Sequence, residues 1–177
     1  DTLPAIALGV DPEDPDVMKE KPRSASERIF VKDDVSFMIL NGSLIGILTL
    51  FAFMEGLKIY TESTSLFTMN LQAVNSEALI HAQTLAFLTL SVSQLFHAFN
   101  LRTNQKSIFQ AGIFKNRYLI GAVGVGLVLQ IALVYVPVFS DWFHLRPLVW
   151  QEWLFVIGLS MIPVAVNEFV KAMKRIF

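Results

Sequence analysis

The chain has 177 residues, 54% of them hydrophobic and 16% charged, with a formal net charge of −1 and a mean hydropathy of +0.53. Soluble domains carry about 25% charged residues, so the shortfall excludes an ordinary water-soluble domain. The near-neutral balance, without a basic patch interleaved with aromatics, leaves no case for nucleic acid as a partner. The absence of cysteine excludes disulfides, thiolate metal sites and cysteine nucleophiles.

The first sixteen residues, DTLPAIALGVDPEDPD, read as the tail of a helix whose beginning is missing. An apolar run opens on Asp1 and gives way to the acidic, proline-broken segment of Asp11, Glu13, Asp14 and Asp16. No initiator methionine or basic n-region precedes it, so a signal peptide is not expected and a piece of a larger membrane protein is. Residues 11–34 then form a loop with both acidic and basic residues.

Four long apolar runs follow, at about 35–57, 78–101, 118–139 and 148–170. Each has the roughly 20 residues that a helix needs to cross about 30 Å of hydrocarbon. Unpaired backbone groups are not tolerated in lipid, so these runs are expected to be helical, with Pro163 kinking the last. The expected fold is all-α and polytopic: four transmembrane helices at 35–177, with residues 1–10 supplying the cytoplasmic half of a fifth.

Basic residues give the orientation. Lys19, Lys21, Arg23, Arg28 and Lys32 lie before the first run, Arg102, Lys106, Lys115 and Arg117 between the second and third, and Lys171, Lys174 and Arg175 at the end. The other two connections hold only Lys58 and Arg146, and Trp142, Trp150 and Trp153 flank the second of them. By the positive-inside rule, loops 11–34 and 102–117 and the C-terminus are expected in the cytoplasm. Ten helical residues cover only about half a bilayer at ~1.5 Å each, which puts Asp1 near mid-membrane. A carboxylate at that depth is costly unless paired or metal-bound, hence a functional candidate; the other reading is a solvated terminus or helix cap.

The segment DTLPAIALGVDPEDPDVMKEKPR resembles the end of the sixth transmembrane helix and the following loop of P-type cation-transporting ATPases, especially calcium pumps. The matching residues are Asp1, Leu3-Pro4-Ala5, Ala7-Leu8-Gly9, Asp14, Asp16, Met18 and Pro22-Arg23. TLAFLTLSVSQLFHAFNLRTNQKSIFQAGIFKNRYLI (84–120) is similar to the eighth helix and next loop of bacterial, secretory-pathway and plasma-membrane type calcium ATPases. The resemblance implies an ATP-driven pump with a phosphoenzyme cycle, transporting Ca2+ or, second, Mn2+, with Mg2+ and ATP used by the parent protein. The family's DKTGT motif, nucleotide domain and TGE loop are not in these residues, so the chain alone is expected to be non-catalytic. The implied partners are the bilayer and the parent's other helices and cytoplasmic domains, in a bacterial plasma membrane.

The resemblance aligns Asp1 with an ion-ligating aspartate of the sixth helix, where a carboxylate supplies charge and coordination to calcium. Gln94 stands where reticulum-type pumps place a glutamate; it is either a ligand through its amide oxygen or a hydrogen-bonder between helices. His97 and Ser91 lie three residues either side of Gln94, and with Gln83 they make a polar stripe suggesting a face turned towards protein. His97 reads as a proton relay or as an inter-helix contact. Gly42 and Gly46, with Asn41 and Ser43, suit close packing against a further helix, and Gly121, Gly124 and Gly126 likewise suggest packing. Asp11, Asp14 and Asp16 belong to a loop that couples membrane and cytoplasmic parts in the family, or is merely solvated. Glu55, Glu152 and Glu168 sit near helix ends and read as interfacial. The alternative to a pump sector is a self-contained four-helix channel, carrier or scaffold, which would need a polar pathway shared by its own helices.

Overall fold

The computed structural model describes residues 2–12, 32–60, 75–102 and 107–176, and every regular element among them is helical. In order these are α1 (Thr2–Gly9), α2 (Lys32–Tyr60), α3 (Ser76–Asn100), the short α4 (Ile108–Ala111), a 3-10 turn (Ile113–Lys115), α5 (Arg117–Tyr135), α6 (Pro137–Phe143) and α7 (Trp150–Ile176). Four of them, α2, α3, α5 and α7, are long and apolar enough to span a membrane.

Local chemistry sets the ends. Asn75 caps α3, its side-chain oxygen accepting the Ala78 N–H at 2.7 Å, and Asn116 caps α5 by accepting from Leu119 N–H at 2.9 Å. The third apolar run continues to residue 139, but α5 stops at Tyr135 because Pro137 follows. A residue before proline is pushed out of the helical region, and Val136 is extended (φ −84°, ψ 116°). Pro137 then starts α6, where its missing N–H is no loss. That helix ends on His144 in the left-handed region (φ 51°), with Leu145 N–H bonded to Ser140 O at 2.8 Å. Helix α7 runs through Pro163 without a break.

The central helix is α3: half of its most apolar window is buried, against 22%, 17% and 28% for α2, α5 and α7. It packs on α2 and α7 and also on α5 and α1, while α1 rests chiefly on α5. Leu85, Leu88 and Val92 of α3 meet Val134, Leu148 and Val156 in one core cluster. Leu95 and Ala98 meet Ala7, Leu119 and Val123 in a second, which seats α1. Leu48 and Ala52 of α2 pack on Leu159 of α7 in a third. Backbones approach closely at Gly56, where a Cβ would lie 2.7 Å from the Cα of Ala82, itself fully buried. Only glycine allows α2 and α3 to touch there.

The outward faces are as apolar as the core. Ile39, Ile47 and Leu50 of α2 and Val125, Val128 and Leu129 of α5 are all exposed. Such continuous apolar surface suits hydrocarbon or further helices and not water.

Candidate functional site

Polar side chains inside this bundle gather in nodes, and each node ties together segments far apart in sequence. The most elaborate lies where α1 ends. The last four carbonyls of any helix lack partners within it, and here the Ala7 carbonyl accepts a hydrogen bond from Asn116 Nδ2 at 2.8 Å. The same amide nitrogen donates to Asp11 Oδ1 at 2.9 Å, while Asn116 Oδ1 caps α5. Arg102 closes the node: its Nε is 3.2 and 3.1 Å from the two Asp11 oxygens and its Nη2 3.0 Å from Oδ1. Its Nη1 donates to the Gly112 carbonyl at 2.9 Å. Gly112 has φ +81°, a conformation that side chains resist, and this aims its carbonyl at the guanidinium. The Arg102 side chain is 5% exposed and Asn116 is 2% exposed, while the Asp11 side chain, at the edge of the node, is 21% exposed.

At the same end of the bundle, Glu168 of α7 accepts from the Ser107 hydroxyl and from the Ile108 N–H at 3.0 Å, pinning the start of α4 to α7. Lys171, buried one turn further on, lies 3.6 Å from Glu168. Deeper, Asn41 of α2 and Asn167 of α7 exchange amide hydrogen bonds of 3.2 and 2.5 Å, and Asn167 also donates to Pro163 O at 2.7 Å. At the opposite end, buried His81 Nε2 lies 2.7 Å from Glu152 Oε1, and Glu152 Oε2 accepts the Val149 N–H at 2.9 Å. Tyr135 OH donates to Leu148 O at 2.6 Å and accepts from the Trp153 indole at 2.9 Å, which joins α5 to α7.

The residues singled out from sequence fall as follows. Asp1, Asp14 and Asp16 lie outside the described residues. Asp11 is the acceptor at the centre of the α1 node. Gln94 and Gln83 are exposed on the chain's own surface, and Ser91 and His97 are partly so. The His97 ring stacks on Phe37 of α2, with centroids 5.8 Å apart, and its Nδ1 is 3.3 Å from the Asn100 amide. The polar groups that α3 buries are instead His81, Thr84, Thr89, Ser93 and Asn100. At about 100° per residue, Thr89, Ser93 and Asn100 stand roughly 100–140° round the helix from Gln94. Gly42, Gly46, Gly121 and Gly124 face open space, whereas a Cβ on Gly126 would meet Leu95 Cδ2 at 2.7 Å. Glu55 pairs with Lys58 at 2.6 Å near the end of α2.

Asn116, Asn167 and His81 were not singled out by sequence, and Arg102, Asn41 and Glu152 were read only as a topology charge, part of a packing face and an interfacial carboxylate, not as members of these ties. Asn116 had a readable signal, an asparagine directly before a long apolar helix. The others had none, because their partners are 71 to 126 residues away. Among the described residues no three His, Asp or Glu side chains converge as metal ligands. What this arrangement does chemically is hold helices in register and satisfy their ends.

Four spanning helices with buried polar ties and an apolar exterior define a polytopic membrane bundle. Residues 1–173 match the family described as cation transporting ATPase, C-terminus. The chain belongs to that family. It is 50% identical over 175 residues to calcium-transporting ATPase 1 of Bacillus cereus, covering 99% of the chain and 20% of that protein. It is 38% identical over 163 residues to a calcium-transporting ATPase of Bacillus subtilis, covering 92% and 16%. A plant relative is calcium-transporting ATPase 3, endoplasmic reticulum-type, of Arabidopsis thaliana, at 28% over 187 residues, covering 99% and 19%. The chain thus spans about a fifth of the length of these relatives.

Proposed function

We propose that the chain is the C-terminal membrane sector of an ATP-driven calcium pump, supplying one ion-ligating carboxylate and the helices that support it. The observation that carries this reading is the family match across residues 1–173, together with calcium-transporting relatives over nearly the whole chain. Asp1 is the cation ligand in this reading. Gln94, on the exposed face of α3, and Gly42 and Gly46, on the open face of α2, belong to surfaces that meet the pump's remaining helices. His97 and Ser91 sit beside that surface as inter-helix contacts, and Asp14 and Asp16 belong with Asp11 to the coupling loop. ATP and Mg2+ act in the cytoplasmic domains, which this chain does not contribute.

The lysines and arginines gathered at 11–34, 102–117 and the C-terminal end favour a cytoplasmic position for all three. The Bacillus relatives favour a bacterial plasma membrane.

The test is the ATPase activity of the full-length pump in proteoliposomes across a calcium range, with Asp1→Asn beside the wild type. Calcium should activate the wild type, and the variant should need on the order of a hundredfold more, since ligand charge sets calcium affinity. Activation by manganese and not calcium would make manganese the cargo. No cation-dependent ATPase activity would move the chain to the channel or scaffold class.

A further inference from the structure

We propose that Arg102 and Asn116 are positioning residues for cation binding: through Asp11 and the Ala7 carbonyl they fix the height and rotation of α1, which directly follows Asp1 in the chain, the ligand of the pump reading. This deepens the pump reading and rests on it.

Three observations converge. First, α1 ends at Gly9, and the last carbonyls of a helix have no partners within it, so what holds this end must come from elsewhere. Its apolar seat offers Ala7 against Leu95, Ala98, Leu119 and Val123. A seat of small and aliphatic side chains resists separation, but it tolerates a slide or a rotation far better than a directional bond does. The directional contacts at its end are those of the node: Asn116 on the Ala7 carbonyl, and Asn116 with Arg102 on Asp11. Thr2, next to Asp1 in the chain, is five residues from Ala7, or ~7.5 Å along the axis. An error of one residue in register turns a side chain by about 100°, enough to remove a ligand from its ion.

Second, the node is chemically expensive for mere adhesion. An ion pair whose guanidinium is buried and whose carboxylate is only partly so contributes little net stability compared with well-packed apolar residues, because the guanidinium loses its water. What it supplies is a single allowed geometry. Arg102 uses Nε and Nη2 on Asp11 and Nη1 on the Gly112 carbonyl, so its plane is fixed from two sides. The positive φ of Gly112 is part of that fixation.

Third, Asn116 works in two directions with one planar amide. Its oxygen starts α5 and its nitrogen ends α1, so the two helices share one reference point. Helix α5 is in turn held against α3 and, through Tyr135, to Leu148 and Trp153. The position of α1 is thereby referred to the whole bundle.

The experiment uses the full-length pump in proteoliposomes with Arg102→Gln, Arg102→Lys and Asn116→Ser. Serine keeps the α5 cap but cannot donate to Ala7 O and Asp11 together, so it separates register from folding. Two quantities are read: the calcium concentration for half-maximal ATPase activity against the maximal rate, and hydrogen exchange of the segment 2–10. Arg102→Gln and Asn116→Ser should each raise half-activating calcium about tenfold, with the maximal rate within about twofold, the loss expected for a hydrogen bond to a charged group. Exchange in 2–10 should quicken by about tenfold, and Arg102→Lys should recover part of both effects. Unchanged calcium affinity with faster exchange would overturn the positioning role and leave an anchor only. Unchanged exchange in Asn116→Ser would overturn the anchor itself. A wild type that ignores calcium would sink the pump reading separately, and the exchange of 2–10 would still decide whether the node holds α1.

Discussion

His144 closes α6 in the left-handed region, where every residue but glycine has its Cβ crowded by backbone. The helix end itself is well made, with both hydrogen bonds of a left-handed termination in place. The cost therefore lies in the residue and not in the turn. His144→Gly is expected to stabilise the folded protein by about 1 kcal/mol, read as a higher SDS fraction at half-unfolding in mixed micelles. The imidazole is exposed, so nothing packed is lost with it. Gly112 presents the converse. Its φ of +81° strains any residue with a Cβ, a methyl there would press on the Lys115 side chain at 3.1 Å, and its carbonyl is held by Arg102. Gly112→Ala is expected to destabilise by about 1–2 kcal/mol in the same assay.

Among the elements, α3 decides how the bundle closes. Its contact with α2 at Gly56 and Ala82 brings backbone to backbone, and the obstacle to a larger residue is a Cα and not a flexible side chain. Gly56→Leu is therefore expected to force the helices apart and lower stability by about 1–3 kcal/mol. Gly46→Leu on the open face of α2 should leave the isolated bundle unchanged. In the full pump the two substitutions converge if another helix lies against Gly46, so the pair also tests whether that face is covered.

The helices were legible from sequence for a simple reason: a run of apolar residues long enough to cross hydrocarbon is a local property. The end of the third run was not, since hydropathy continues smoothly past Val136 and only the stereochemistry of Pro137 ends the helix. The stripe of Gln83, Ser91, Gln94 and His97 was legible as a stripe, but periodicity cannot say which neighbour a stripe faces. The chain's own helices cover the side with Thr89, Ser93 and Asn100 instead. Nothing in the spacing of Asp11, Arg102 and Asn116 announces that they meet, because contact between residues 91 and 105 positions apart is a product of the whole fold.

For the molecule as a whole, the distribution of polar ties makes two unlike ends. One end gathers Arg102, Asn116, Glu168 and Lys171; the other gathers His81, Glu152, Arg146 and the tryptophans. Membrane topology is tested by single cysteines at Gln110 and Asp141, both exposed and in separate connections flanking α5. In inside-out vesicles an impermeant thiol reagent should label Gln110→Cys and spare Asp141→Cys, with the reverse in right-side-out vesicles. Labelling of both from one side would remove α5 as a span.

The double use of Asn116 also has a meaning in time. The carbonyl of Ala7 is made 109 residues before the amide that satisfies it. At ~5–20 residues per second, the end of α1 waits on the order of 5–20 s of synthesis for its partner. Until then the bonds from Asn116 to Asp11 and to the last turn of α1 are unmade. On the positioning proposal, a nascent chain cannot fix the register of α1 until α5 has begun, and a chain stopped short of Asn116 leaves the Ala7 carbonyl without that amide. A helix made later thus sets the end of one made before it.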